Sequence, residues 1–474
     1  MLPEDHDTIA AISTASGAAA IGVIRLSGRD SLAIADRIFS GRRRAIEMHR
    51  SSIQFGRILR DGFILDEVLL SVFHSPNSYT GEDMAEISCH GSPLVLRDVL
   101  SAVIDAGARL AAGGEFTRRA FLNGKMDLCQ AEAVMELISA ETQEAKRIAL
   151  SQVQGRASEV VRGIRGNVIR VKAGIDASID FPEDVSDEAL IHDDRADDGP
   201  LRSQPSSALK EIIRQIGEML AAYKRSQVLR KTPTIAIIGK ANVGKSTILN
   251  ALLKEERVIT SATPGTTRDR IDADLILPSG RNVRFSDTAG VLIQRDELDE
   301  KARAKMEEAA ENADVRILVF DASSALEPHD LELVEKWGNR PAVLVFNKID
   351  ISEVWTPETL GAQKRAPNAV TLRTCARNGR GIDALKCSLS GLLDQLLPAP
   401  SDETCVMGTV RDEGLLERAS AAIGRAMTGL DNDGWPEFAS RDLNEALSAL
   451  DELLGIEVEA DILDEIFSHF CIGK

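Results

Sequence analysis

A chain of 474 residues exceeds the ~100–200 residues of one typical domain and has room for about three. Its 56 Lys and Arg against 74 Asp and Glu leave a formal charge of −18, which excludes nucleic-acid binding by overall basic charge and confines any RNA role to a local patch or a shared surface. With only 13 Phe, 3 Trp and 2 Tyr, stacking platforms for single strands are not expected, and the cores fall to Ala, Leu, Ile and Val.

From Asp7 to about Thr117, short apolar runs such as AIGVIRLSG (20–28) and FILDEVLLSVF (63–73) are separated by Gly, Asn and Ser turns, which predicts an α+β domain with an antiparallel sheet. Between Leu128 and about Leu229 the spacing turns helical, and Leu128, Ala131, Met135 and Ile138 fall on one face. An acidic, Pro- and Ser-containing stretch at 182–207 interrupts it and reads as a solvated loop. From Thr234, the strands TIAIIG (234–239), NVRFSD (282–287), VRILVFD (315–321) and AVLVFN (342–347) alternate with helices, the pattern of a parallel sheet covered on both faces. Leu397-Pro398-Ala399-Pro400 ends that section. Helices then return, with an apolar stripe of Leu463, Ile466, Phe467 and Phe470. The boundaries fall at 1–122, 123–230, 231–398 and 399–474, the second and fourth joining as one discontinuous helical bundle around an inserted α/β domain.

No apolar run reaches the ~18–20 residues that span a bilayer, and the acidic start MLPEDHDTIAAIST lacks the basic opening of a signal peptide, so the chain reads as cytoplasmic and away from membranes. The six cysteines (Cys89, Cys129, Cys375, Cys387, Cys405, Cys471) include no C-x-x-C pair, so neither disulfides nor a zinc site is expected, and most of the thiols should be small buried groups.

The strongest motif is Gly239-Lys-Ala-Asn242-Val243-Gly244-Lys245-Ser246-Thr247, after a buried strand and at the start of the helix KSTILNALL. Such a loop surrounds phosphates with backbone N–H groups at a positive helix end, Lys245 neutralises β/γ oxygens and the Ser246 hydroxyl ligates Mg²⁺. Asp287-Thr288-Ala289-Gly290 lies 42 residues beyond Lys245, where an Asp reaches Mg²⁺ through water and a Gly N–H meets the γ-phosphate. Asn347-Lys348-Ile349-Asp350 ends a strand, and a carboxylate at Asp350 accepts from the guanine N1–H and 2-amino group, which adenine cannot supply. Cys375-Ala376-Arg377 resembles the guanine-supporting Ser-Ala-x loop, with Cys for Ser. In Thr263-Pro264-Gly265-Thr266-Thr267-Arg268-Asp269, Thr267 is the favoured switch ligand for Mg²⁺. Val291 follows Gly290 where many small GTPases carry the water-orienting Gln, so hydrolysis must be organised differently.

With DTIAA, GVIRLSG, SYTGEDMAEISCHGS, GEFTRRAFLNGKMDLCQAEAV, PGTTRD and the terminal Phe470-Cys471-Ile472-Gly473-Lys474, the chain resembles the MnmE (TrmE) family of tRNA wobble-uridine modification GTPases from Asp7 to the terminus. The resemblance implies a Ras-like GTPase domain stimulated by potassium, which takes the place of an arginine finger's charge; the matching ligand positions are Asn242, Ser261, Thr263 and Thr266. The family's catalytic glutamate maps without gaps to Asp299, with Glu300 beside it. It also implies an N-terminal, dimerising domain that binds a 5-formyl or methylene tetrahydrofolate, with matching positions Arg25, Glu86, Lys125 and Lys474, and a thiol near that site, Cys471, as a candidate catalytic residue beside Lys474. Cations suit a glutamate tail and a carboxylate suits pterin N–H donors, although Arg25 and Lys125 taken alone would pass for ordinary exposed cations. The implied partners are a second copy of the chain, the flavoprotein MnmG in a heterotetramer, and tRNA. A ribosome-assembly GTPase without carbon-transfer chemistry is the alternative; its relatives carry tandem G domains or an RNA-binding KH domain, whereas this chain has one phosphate loop and ends in CIGK.

Overall fold

Alternating apolar side chains build the first hundred residues into a seven-stranded sheet: β1 (Ile9–Ile12), β2 (Ile21–Ser27), β3 (Phe39–Gly41), β4 (Ser52–Arg60), β5 (Phe63–Phe73), β6 (Met84–His90) and β7 (Arg109–Leu110). The structure, a computed structural model, describes residues 7–180, 205–253, 273–286, 307–325, 327–352, 354, 370–397, 408–431 and 436–473. The strand order is β3-β4-β5-β6-β2-β1-β7, antiparallel as expected except for the short parallel pair β1–β7. One face packs Ile24, Leu26, Ile58, Leu70 and Ile87 against α1 (Ser31–Ile38) and α2 (Pro93–Asp105). The opposite face of β4 and β5 leaves Ile53 67%, Phe55 61% and Leu69 47% exposed, with Phe55 and Leu69 opposed in register. Helix α3 (Glu115–Leu122) carries Arg119, buried at 4%, into a carboxylate ring of Asp7 at 2.8 Å, Glu115 at 3.0 Å and Glu82 at 3.3 Å. Such a buried cation needs that much compensation.

Helices α4 (Leu128–Ser139), α5 (Gln143–Val153), α6 (Arg156–Asp180) and α7 (Pro205–Arg230) follow. Pro205, Ser206 and Ser207, expected in the solvated loop, instead open α7, where a proline's missing N–H costs nothing; 182–204 lie outside the described residues. Ile138, expected on the apolar face of α4, is 44% exposed because it sits in the last turn, beyond the residues that cover Leu128 and Ala131.

The α/β section comprises β8 (Thr234–Ile238), α8 (Lys245–Leu253), β9 (Ala273–Ile276), β10 (Asn282–Phe285), β11 (Val315–Asp321), α9 (Pro328–Trp337), β12 (Ala342–Asn347), β13 (Val370–Arg373) and α10 (Ile382–Leu396). The order β13-β12-β11-β8-β10-β9 is parallel throughout except β9–β10, an antiparallel edge absent from the sequence reading. Along β11, Ile317 and Val319 face α8 and α10, while Leu318 and Phe320 face α9. The sheet therefore carries two cores, as a doubly covered parallel sheet must.

Finally α11 (Val410–Asp431), α12 (Pro436–Leu454) and α13 (Ala460–Ser468) return to the helical part. One core joins Val161, Ile164 and Val168 of α6 and Leu209, Ile212 and Ile216 of α7 to Leu416 and Ile423 of α11 and Leu443 and Leu450 of α12. The bundle is thus discontinuous in sequence. Under its apolar surface, Glu132 of α4 is pushed well above the usual carboxylate range, first by burial and then by the neighbouring buried Asp412. The stripe of α13 buries Leu463 and Phe467 with Phe470 just past the helix end, against Leu128 and Ala131. The chain divides into two compact units, one of residues 1–138, 149–223 and 405–474, the other of 139–148 and 224–404. Cys89, Cys129 and Cys375 are buried and Cys387 and Cys471 exposed; Cys405 lies outside the described residues. Among the described residues, no helix is long and apolar enough to cross a membrane.

Candidate functional site

Both loops that the motifs point to lie at the C-terminal ends of parallel strands, where open α/β sheets bind ligands. After β8 the chain turns through Asn242, exposed at φ +63°, and Gly244 at φ +101°, before α8 begins at Lys245. Val243 is buried and anchors the loop, whereas Ser246 and Thr247 occupy the first turn of α8. A Cβ on Gly244 would run into the side-chain amide of Asn347, so only glycine fits. Lys245 Nζ donates to the carbonyls of Gly239 (2.9 Å) and Lys240 (2.6 Å), and burial holds its pKa below the usual lysine value. A half-buried ammonium solvated by carbonyls gains most from an anion brought beside it.

Asn347, buried at 3%, ties the two loops together. Its Nδ2 donates to Val243 O at 2.9 Å, while its Oδ1 accepts from Thr374 Oγ1 at 3.2 Å and Ala376 N at 3.0 Å. Lys348 is held in a left-handed conformation (φ +67°) with its ammonium 2.6 Å from Asp321 Oδ2. The turn leaves Asp350 exposed, near the exposed Arg377 loop that Ile349 N joins through Thr374 O at 3.4 Å. Cys375 is buried and its N–H donates to Arg380 O at 2.9 Å, so the Cys-for-Ser change leaves the backbone of that loop intact. Sequence reasoning missed Asp321 and Thr374; the available signal was that Asp321 ends β11 in register with Asn347. Ser261, Thr263, Gly265, Thr266, Thr267, Asp287, Thr288, Ala289, Gly290, Asp299 and Glu300 lie outside the described residues.

In the N-terminal domain, Arg25 of β2 opposes Glu86 of β6 in register and binds its Oε1 through Nε (2.9 Å) and Nη2 (2.8 Å). The guanidinium lies over the rings of Tyr79 (5.2 Å) and Phe116 (5.7 Å). Burial raises the Tyr79 phenol's pKa, and its OH is 2.8 Å from Thr117 Oγ1. Lys125 donates to Pro76 O at 3.0 Å, at the loop whose Tyr79 lies against Arg25. The terminal segment docks on this domain: Gly114 N donates to Cys471 O (3.3 Å), Ile472 bridges Gly113, and Ser13 Oγ donates to Gly473 O (3.0 Å). Gly473 has φ +97°, and a Cβ there would strike Ile12 O. The docked segment thus lies on β1, whose Ala11 opposes Arg25. Glu86 Oε2 and Arg25 Nη1 make no bond among the described residues, leaving an acceptor and a donor beside an aromatic wall. That donor set fits a heteroaromatic, carboxylated ligand. Lys474 lies outside the described residues.

The family model described as MnmE helical domain matches residues 128–471, and that described as GTP-binding protein TrmE N-terminus matches residues 8–125. The tRNA modification GTPase MnmE of Acetivibrio thermocellus is 34% identical over 471 residues, covering 99% of each chain. That of Chloroflexus aurantiacus is 38% identical over 473 residues, covering 99% of this chain and all of the relative. A crystal structure of Era from Aquifex aeolicus covers 40% of this chain and 67% of its own at 26% identity and a TM-score of 0.26. With two family models spanning nearly its whole length and full-length relatives above 30% identity, the chain belongs to the MnmE (TrmE) family of tRNA modification GTPases, which hydrolyse GTP.

Proposed function

We propose that this chain is a cytoplasmic, potassium-stimulated GTPase that, with MnmG, adds an aminomethyl or carboxymethylaminomethyl group to C5 of the wobble uridine of certain tRNAs, a tetrahydrofolate derivative supplying the one-carbon unit. The observation that carries the nucleotide half is Asn347, whose amide couples the Val243 carbonyl to the Ala376 N–H. A base held at Asp350 and Ala376 and phosphates held at Gly244 and Lys245 are thereby set at a fixed separation. In this reading Ser246 and Thr267 hold Mg²⁺, Asp287 reaches it through water, Gly290 N–H meets the γ-phosphate, and Asn242, Ser261, Thr263 and Thr266 offer oxygens to K⁺. Hard cations prefer such oxygens, and when bound they add positive charge beside the transferring phosphoryl group. Asp299 or Glu300 orients the attacking water.

Arg25, Glu86, Lys125 and Lys474 form the folate site, and Cys471, in the segment docked on this domain, supplies a thiol near it. The exposed Ile53, Phe55 and Leu69 face supports a homodimer through the N-terminal domains. Sedimentation of Phe55→Asp should show a monomer where the unsubstituted chain is dimeric; an unchanged dimer moves the interface elsewhere.

The deciding measurement is nucleoside mass spectrometry of tRNA from a deletion strain, in which the wobble modification should vanish; intact modification rejects the reading. GTP turnover should run at least tenfold faster in KCl than in NaCl, and equal rates remove the potassium site.

A further inference from the structure

The formal charge of −18 is unevenly spread: residues 37–60 hold seven arginines (Arg37, Arg42, Arg43, Arg44, Arg50, Arg57, Arg60) and one acid, Glu47. Arg57 and Arg60 are paired, with Glu67 and Asp105, and Arg44 reaches Asp36 at 3.5 Å while its side chain stays 68% exposed. Arg42, Arg43 and Arg50 are exposed and meet no carboxylate among the described residues.

This run is rigidly held. It leaves β3, the edge strand, and both main-chain polar groups of Arg43 are clamped by the Gln54 side chain, N to Oε1 at 2.9 Å and O to Nε2 at 2.8 Å. Asp36 accepts from the N–H groups of Ala45 and Ile46. Ala45 and Met48 plug the loop into the core, and His74 Nε2 bonds the Met48 carbonyl at 3.1 Å. Gln54 shares the helix-covered face of β4 with Gly56 and Ile58, whereas Ile53 and Phe55 point to the other, so a pairing through the apolar face leaves the arginines clear.

We infer that the Arg42–Arg50 edge is where this chain grips the phosphate backbone of tRNA. The inference rests on the tRNA reading above and assigns it a place. Guanidinium forks match phosphate oxygens, and holding them on a clamped loop reduces the ordering cost of binding. An acidic protein is the weaker fit, because between 42 and 50 only Ile46 is an exposed apolar side chain, and protein interfaces need apolar anchors that phosphate contacts do not.

The test is binding of labelled tRNA by the full-length chain across a KCl series. In Arg42→Gln/Arg43→Gln/Arg50→Gln, the Kd should rise roughly tenfold and the slope of log affinity against log salt should fall by about 2, as expected for three lost phosphate contacts. Basal GTP turnover and Tm should not move, and the matching triple Lys variant should keep most of the slope. Unchanged Kd and slope, no measurable binding by the unsubstituted chain, or a loss of MnmG binding with tRNA binding intact would each overturn the assignment. Because the deletion strain tests the tRNA reading separately, a silent triple variant beside lost wobble modification rejects only this surface.

Discussion

Replacing Asn347 by Ala should lower GTP affinity by about a hundredfold, although the substitution touches neither Lys245 nor Asp350. The deletion strands the Val243 carbonyl, the Thr374 hydroxyl and the Ala376 N–H, all at buried residues, at a cost of about 1–3 kcal/mol for each group left unpaired. Part of that cost appears as lost stability of the α/β unit and part as lost alignment of phosphate loop and base loop; a hundredfold in Kd corresponds to about 2.7 kcal/mol. Asn347→Asp separates the two sides. A carboxylate still accepts from Thr374 and Ala376 but cannot donate to Val243 O, and it places negative charge against that carbonyl. Titration with a fluorescent GTP analogue and a melting curve measure both effects. Affinity within threefold of the unsubstituted protein in Asn347→Ala would mean that the loops are not coupled through this side chain.

The second large effect is one of specificity. Asp350 is exposed at the end of a turn stiffened by Lys348 on Asp321 and by Ile349 N on Thr374 O, so its carboxylate is aimed without being consumed. Guanine offers it two donors. Xanthine offers one donor and a carbonyl, the complement of an amide. Asp350→Asn should therefore lose roughly a hundredfold or more in kcat/KM for GTP and gain activity toward XTP, because a site built on hydrogen bonds leaves polar groups unpaired when the partner changes. Parallel steady-state assays with the two nucleotides decide it; an unaltered KM for GTP would remove Asp350 from base recognition.

What could be read in advance followed periodicity and local chemistry. The strands ending at Asp321 and Asn347 were legible because each is a buried apolar run closed by a polar residue, and the phosphate loop because its glycines and lysine have few other uses. β9 and β13, four residues each, lack enough alternation to stand out, so the antiparallel edge was missed. Pro205 reads equally as loop or as first helical turn, and only packing of Leu209 decides. The motif Asn347-Lys348-Ile349-Asp350 points to the base through Asp350, whereas the link from Asn347 to Val243, 104 residues away, is a tertiary fact without local signature. The same holds for Arg25: its motif marks it, but only the strand register supplies Glu86 as partner.

The divided helical core sets an order of events during synthesis. Helices α6 and α7 leave the ribosome with Val161, Ile164, Leu209 and Ile216 uncovered, and their partners on α11 begin only at Val410, 180 residues after α7 ends at Arg230. At ~5–20 residues per second, that apolar surface waits roughly 10–40 s, an interval in which the six described strands of the intervening sheet are made. Docking of Gly473 against Ile12 and Ser13 comes later still, after both halves of the helical core have been made.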